Sequence, residues 1–256
     1  MSVVEEDPSL RGRLAACNAP WMADILRRFA SATGAASRLC LHDHLAEFDQ
    51  TMLTLYFAPN TAALAVHIAL QESGAIYNTV RLNFASNDQK APQYLAINPK
   101  ARVPALLTEQ GVLTETPAIL AYIAQCFPAA NLAPNEPFGF ARAQAFNNYL
   151  CATVHVAHAH RVRGARWTDE PEVAQALTKK VAQNMVDCFA LIERDMFTGP
   201  WVMGAAYSVC DAYLFTISGW LEGDGVDLAG FPAVHAHHQR MLARPAVQTV
   251  LALHRA

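Results

Sequence analysis

The segment Ala96–Thr116, AINPKARVPALLTEQGVLTET, constrains this chain more than any other stretch. Val103-Pro104 puts a proline at the mouth of an apolar strand, where it cannot donate to a ladder. Such a proline belongs at an edge or turn, and a cis bond before it is normally a built feature. A cis bond would turn the N–H and C=O of Val103 outward, ready to pair antiparallel with the backbone of an extended peptide. Glu115-Thr116, an acid and a hydroxyl at the start of the next helix, would meet the charged amino-acid end of such a ligand. Thr116 reads as N-cap and Pro117 as the first helical residue.

Around this segment, residues 52–131 alternate strand and helix. Leu53–Phe57 reads as a short strand ended by Ala58-Pro59-Asn60. Ala62–Ser73 reads as a helix with Leu64, Ala65 and Ile68 inward, stopped by Gly74. Tyr77–Leu82 reads as a second strand parallel to the first, completing a β-α-β unit. A helical turn at Ala91–Ile97 precedes a hairpin, Val103–Leu107 with Val112–Leu113, and then a helix ending at Phe127-Pro128. The order β-α-β-α-β-β-α is a thioredoxin-like layout.

Residues 137–256 form an all-helical domain, with helices expected near 138–162, 170–196, 208–222, 231–243 and 245–254. Ser208 with Asp211 makes a capping box. The run that follows, Ala212–Trp220, is apolar nearly all round, as the central helix of a bundle must be. Residues 1–51 are set apart as an N-terminal extension. Trp21, Ile25 and Phe29 share a helical face there, and Leu39, Leu41, Leu45 and Phe48 form a second apolar set. An attached tail, a start at Met52 and a docking helical arm all remain open for it.

Composition narrows the class. A net charge of −3 and a pI near 6.3 give no reason to expect a nucleic-acid partner. The six cysteines carry no C-x-x-C and read as reduced thiols of a cytoplasmic chain. No secretory signal opens the sequence, and no apolar run approaches the roughly 20 residues that span a bilayer. The histidines at 155, 158 and 160, and at 235, 237 and 238, lack a carboxylate or thiolate at a familiar ligand spacing, so no metal is expected.

A peptide-pairing valine followed by an acid and a hydroxyl suits a γ-glutamyl peptide such as glutathione. LTLYFAPNTAALAVHIAL, YLAINPKARVPALL, GVLTETPAILAYI and YSVCDAYLFTISGW, taken in order, resemble a cytosolic glutathione S-transferase, nearest the bacterial beta class. The resemblance covers residues 52–256. It implies a thioredoxin-like domain followed by a helical bundle, a homodimer, glutathione as co-substrate in a site between the domains, and a small hydrophobic electrophile. It implies that Val103, beside Pro104, pairs with the cysteinyl backbone, and that Glu115 and Thr116 hold the γ-glutamyl end. It adds Asn148 and His155 as ligand-reaching positions of the first bundle helix, and gives Ser208 and Asp211 a structural role.

This sequence departs from the family at the catalytic position. Ala62 stands where beta enzymes carry cysteine, Phe57 where a tyrosine often ends the first strand, and Val156 where a lysine follows the histidine. Lowering a thiol from its free pKa of about 8.5 by two units takes about 2.7 kcal/mol. A hydrogen bond to the charged sulfur contributes about 1.5–3 kcal/mol, and a helix N-terminus roughly 0.3–1. Asn60 and Thr61, at the start of the first helix, are therefore the expected catalytic pair, with helix capping as their alternative role. The expected reaction is conjugation of the glutathione thiolate to an electrophile. The alternatives are a glutathione-dependent lyase, isomerase or dehalogenase, and a non-catalytic protein of this fold that binds ligands or a protein partner. The run Arg161–Trp167 after the first bundle helix could attract an anionic co-substrate or be a solvated helix end.

Overall fold

The structure, a computed structural model, describes residues 53–255; the readings made for residues 1–51 fall outside them. Strand β1, Leu53–Phe57, is followed by helix α1, Ala63–Ser73, and strand β2, Tyr77–Arg81. Two short turns of tighter helix, Phe84–Ser86 and Asp88–Lys90, lead into α2, Pro92–Ile97. Strands β3, Ala105–Thr108, and β4, Gly111–Thr114, form the hairpin, and α3 runs Thr116–Cys126. The sheet order is β2-β1-β3-β4. β1 pairs parallel with β2, Leu55 opposite Thr79, and antiparallel with β3, Leu55 opposite Leu106. This is the thioredoxin-like layout.

The helical part comprises α4, Pro137–Tyr149; α5, His155–Arg163; α6, Pro171–Leu191; α7, Val209–Ser218; α8, Pro232–Leu242; and α9, Pro245–Arg255. A π-helical turn, Leu150–Val154, joins α4 to α5, so the single helix expected there is two helices with a wide turn between them. π-turns frequently sit at functional sites. No described helix is long and apolar enough to cross a membrane.

Every residue of α7 is buried, as its all-round apolar pattern requires. Its start is fixed by Asp211. One carboxylate oxygen accepts from the Ser208 N–H at 2.7 Å and the Ser208 hydroxyl at 3.1 Å. The other accepts from the Val202 N–H at 2.8 Å and sits 3.0 Å from His237 Nε2. Helix α1 differs from its one-faced reading. Ala63, Ala65, Val66, His67, Ile68, Ala69 and Leu70 are all buried, and Leu64 is only partly so. The helix packs against β1, α3, α7 and α9, so its first two turns are buried nearly all round and only Leu64 and the last turn are partly exposed.

One apolar core runs through both halves, from Leu55 and Ile119 to Phe146, Leu150, Tyr213 and Ile217. Two polar clamps cross the same junction. Arg244 makes a two-pronged pair with Glu72, 2.6 and 2.8 Å, and lies 4.0 Å over the Tyr207 ring. His67 Nδ1 lies 3.0 Å from His254 Nε2 in a buried contact.

Candidate active site

A cavity of about 430 Å³ opens between the two halves. The sheet side contributes the turn Asn60–Ala62, the loop Ala101–Pro104 and the β4–α3 corner Glu115-Thr116. The helical side contributes Cys151, His155, Val156, His158, Ala159, Arg163, Arg166, Trp167, Tyr213 and Trp220.

The loop before β3 is held from behind. The Asn98 side chain donates to the Arg102 carbonyl at 2.7 Å and accepts from the Lys100 N–H at 3.2 Å; the Tyr94 hydroxyl donates to the same carbonyl. With Arg102 pinned, the chain enters Val103 and a cis Val103–Pro104 bond. Val103 lies outside β3, and its N–H and C=O make no backbone hydrogen bond among the described residues. Its peptide edge is available for a ligand.

Three lining residues adopt left-handed backbone conformations that side chains other than glycine rarely take: Asn60 at φ 56°, Ala101 at 53° and Glu115 at 71°. Each forces a sharp corner at the cavity mouth, and backbone strain of this kind concentrates where a site needs it. At the last corner Glu115 itself occupies the capping position of α3, with Thr116 its first residue, so Thr116 is not the N-cap. The Glu115 carboxylate meets Lys100 Nζ at 2.6 Å, and Lys100 also donates to the Thr114 hydroxyl. Thr116 is 95 % enclosed, with 5 % exposure.

At the start of α1, the Thr61 hydroxyl donates to the Ala58 carbonyl at 2.7 Å and accepts from the Ala63 N–H at 3.3 Å. Its one hydrogen is therefore engaged within the turn. The Asn60 side chain is exposed at the cavity edge, without a hydrogen bond among the described residues. The Ala62 N–H, one of the orphan donors of the helix end, likewise has no backbone partner there.

Asn60, Thr61, Val103, Pro104, Glu115, Thr116 and His155 thus line one cavity; Asn148 does not. The inward face of α4 is Gly139, Ala143, Phe146 and Asn147, and Asn148, one residue on, is turned about 100° from Asn147 and exposed. Read as one straight α-helix, Asn148 and His155 would share a face; the π-turn between them rotates the two halves apart. His155 is held neutral, its pKa lowered to about 4 by burial and then by Arg163, His158, Arg102 and Arg166. Its ring meets Trp220 edge-on at 4.9 Å, and His158 stacks on Trp220 at 4.4 Å.

Cys151, Tyr213 and Arg102 are lining residues that pattern reading does not single out. Tyr213 is fully buried, and its hydroxyl sits among Cys151, Thr116 and Glu115 without a hydrogen-bond partner of good geometry among the described residues. Burial holds its pKa well above the ordinary phenol value, so it is a donor. Burial also raises the Cys151 thiol. Among the described residues no three metal-binding side chains cluster.

A thioredoxin-like layer, a helical bundle and a cleft between them bounded by a cis-proline loop define a two-domain transferase architecture. The N-terminal domain model of glutathione S-transferases matches residues 51–125. Glutathione S-transferase GST-4.5 of Xanthomonas campestris pv. campestris is 30% identical over 203 residues, covering 78% of this chain and 97% of that protein. Glutathione S-transferase GstA of Escherichia coli O157:H7 is 29% identical over 202 residues, with the same two coverages. A glutathione transferase homologue from Sulfitobacter, crystallised with bound glutathione, superposes with a TM-score of 0.77 at 44% identity, covering 79% of this chain and 98% of that one. The chain belongs to the glutathione S-transferase family.

Proposed function

We propose that this protein binds glutathione in the cleft between its domains and conjugates the thiolate to a small electrophile. The observation that carries the reading is the convergence, on one cavity, of the unpaired Val103 peptide edge, the Glu115-Thr116 corner and the N-terminus of α1. Val103 would pair with the cysteinyl backbone, and Glu115, whose carboxylate now pairs with Lys100, would take the γ-glutamyl ammonium. That alignment would bring the sulfur near Asn60 and Ala62. There the Asn60 amide, the Ala62 N–H and the helix terminus would favour the thiolate. Thr61, whose hydrogen goes to Ala58, shapes the turn in this reading and does not donate to sulfur. Tyr213 would donate from the helical side to the ligand's acidic end.

Binding and orientation add to thiolate stabilisation by holding sulfur and electrophile together. The electrophile would rest against Val156, Ala159, Trp167 and Trp220. We read the protein as cytoplasmic, in keeping with its free Cys126, Cys151, Cys188 and Cys210, and as a homodimer on family resemblance.

A non-catalytic binding role is favoured by one observation: tyrosine, serine and cysteine are all absent from the turn at the sulfur position. Calorimetric titration with glutathione, paired with conjugation assays on activated aryl halides and enones, separates the two. Binding with turnover supports the transferase reading. Binding with no turnover across the panel supports the binding role, and absence of binding refutes both.

A further inference from the structure

Three arginines line the cavity: Arg102 from the loop before β3, Arg163 from the end of α5, and Arg166 from the turn that follows. Against them, among the described residues, Glu115 is the single lining carboxylate, and it is already matched by Lys100. On the helical side, the carboxylate beside the cavity residue His158, that of Asp224, is buried and occupied by His158 at 2.8 Å and Arg161 at 3.1 Å. Among the described residues, Arg102, Arg163 and Arg166 make no ion pair. Arg163 is half-buried, and its pKa is lowered by burial and then by Arg166 and Arg102, so the three guanidiniums share one field. Arg102 and Arg166 are exposed and Arg163 is half-buried, so the three form a solvent-facing basic wall whose mutual repulsion a bound anion relieves.

Glutathione, bound as the proposed function requires, supplies part of that anion. With two carboxylates, one ammonium and a thiolate, the tripeptide carries a net charge of about −2 near neutral pH. Three guanidiniums therefore leave one positive charge unmatched, and the neutral His155 adds none. Position decides which charge that is. Arg102 belongs to the Val103 loop and so to the tripeptide's side. Arg163 and Arg166 come from the opposite wall, beside Trp167 and Trp220, where the electrophile would lie. A planar guanidinium matches a carboxylate in two-pronged fashion, and Trp220 and Trp167, packed by His158 at 4.4 Å and His160 at 4.3 Å, line the cavity with their remaining apolar surface.

We propose that the electrophile of this protein is an acidic aromatic compound, whose carboxylate is held by Arg163 and Arg166 and whose ring lies along Trp167 and Trp220. The inference rests on glutathione binding at Val103 and Glu115.

Two aryl chlorides test it: neutral chlorodinitrobenzene, and chloronitrobenzoate, where a carboxylate replaces one nitro group. In both, a sulfur–carbon bond forms from the thiolate, the carbon–chlorine bond breaks, and chloride leaves with the electron pair. Each kcat/KM is divided by the uncatalysed rate with free glutathione, which removes intrinsic reactivity. The benzoate should show at least about tenfold the enhancement of the neutral compound, the scale of one charge-assisted hydrogen bond. That preference should fall about tenfold in the Arg163→Gln/Arg166→Gln double variant and shrink with added salt. Calorimetric affinities of the two purified glutathione conjugates give the same comparison without turnover, and circular dichroism verifies the fold of the variant. Glutathione binding with no benzoate preference, or a preference that survives both substitutions, overturns the inference alone. Failure of glutathione and both conjugates to bind overturns the glutathione reading and this inference with it.

Discussion

Replacing Asn60 and Thr61 separately distinguishes a thiolate donor from a turn-holding residue. Asn60 sits at φ 56°, so Asn60→Gly removes the amide while accepting the left-handed backbone that Asn60→Ala would strain. A hydrogen bond to a charged sulfur contributes about 1.5–3 kcal/mol, and each pKa unit corresponds to about 1.36 kcal/mol. Asn60 is exposed, which places it at the low end, so the bound thiol should rise by about one unit. From a bound midpoint one to two units below the free value, that rise lowers the thiolate fraction at about pH 7 roughly three- to eightfold. A more basic sulfur is also a better nucleophile, with a Brønsted slope of about 0.4–0.5, so the net rate loss is at most about threefold. In Thr61→Val the bonds to Ala58 and Ala63 vanish while the branched shape stays. That variant should lose about 1 kcal/mol of stability and leave the bound thiol within about 0.3 unit of wild type. Ultraviolet thiolate titration of the glutathione-saturated variants, with urea unfolding alongside, reads both effects. A shift in Thr61→Val as large as in Asn60→Gly, or an unmoved Asn60→Gly, would refute this division of labour.

Glu115→Gln should weaken glutathione binding by about tenfold or more in calorimetry, through loss of a charge-assisted contact, while stability changes by less than about 1 kcal/mol because the Lys100 pair is exposed. Asp211→Ala should cost about 3–5 kcal/mol in urea unfolding, since it orphans the Val202 and Ser208 N–H groups and buried His237 together; unchanged unfolding would contradict the role given to this carboxylate. The His67–His254 contact makes stability fall in acid. Unfolded imidazoles take a proton near pH 6.5, whereas burial first, then His254 acting on His67 and Arg81 on His254, holds the folded ones to about 4. The unfolded chain thus binds more protons between these values, and the stability present above pH 6.5 is lost as pH falls toward 4. His254→Gln should flatten that slope in urea midpoints measured across the range, and an equally steep variant would contradict the assignment.

Much of the fold is legible in the sequence because local signals and burial agree. Gly74 stops α1, Pro104 and Gly111 frame the hairpin, and Ser208 with Asp211 starts a helix whose all-round apolarity demands burial. The sheet side of the site is legible for the same reason, being carried by short motifs at fixed turns. The helical side is less so. Asn148 and His155 are seven residues apart, an α-helical spacing, and nothing in LCATV announces the π-turn that separates their faces. Tyr213 and Cys151 sit in largely apolar helical runs, so only tertiary packing reveals that they meet the cavity. The hydroxyl of Thr61 has two possible uses at its position, and its hydrogen bond to Ala58 emerges only from the turn's geometry.

The central claim is that this cavity turns the glutathione thiol into a thiolate without tyrosine, serine or cysteine at the usual place. Titrating the ultraviolet thiolate absorbance of glutathione bound to the wild-type protein tests it most directly. The account predicts a midpoint one to two units below the free value of about 8.5. Glutathione that binds and titrates at the free value, or that does not bind, would contradict it.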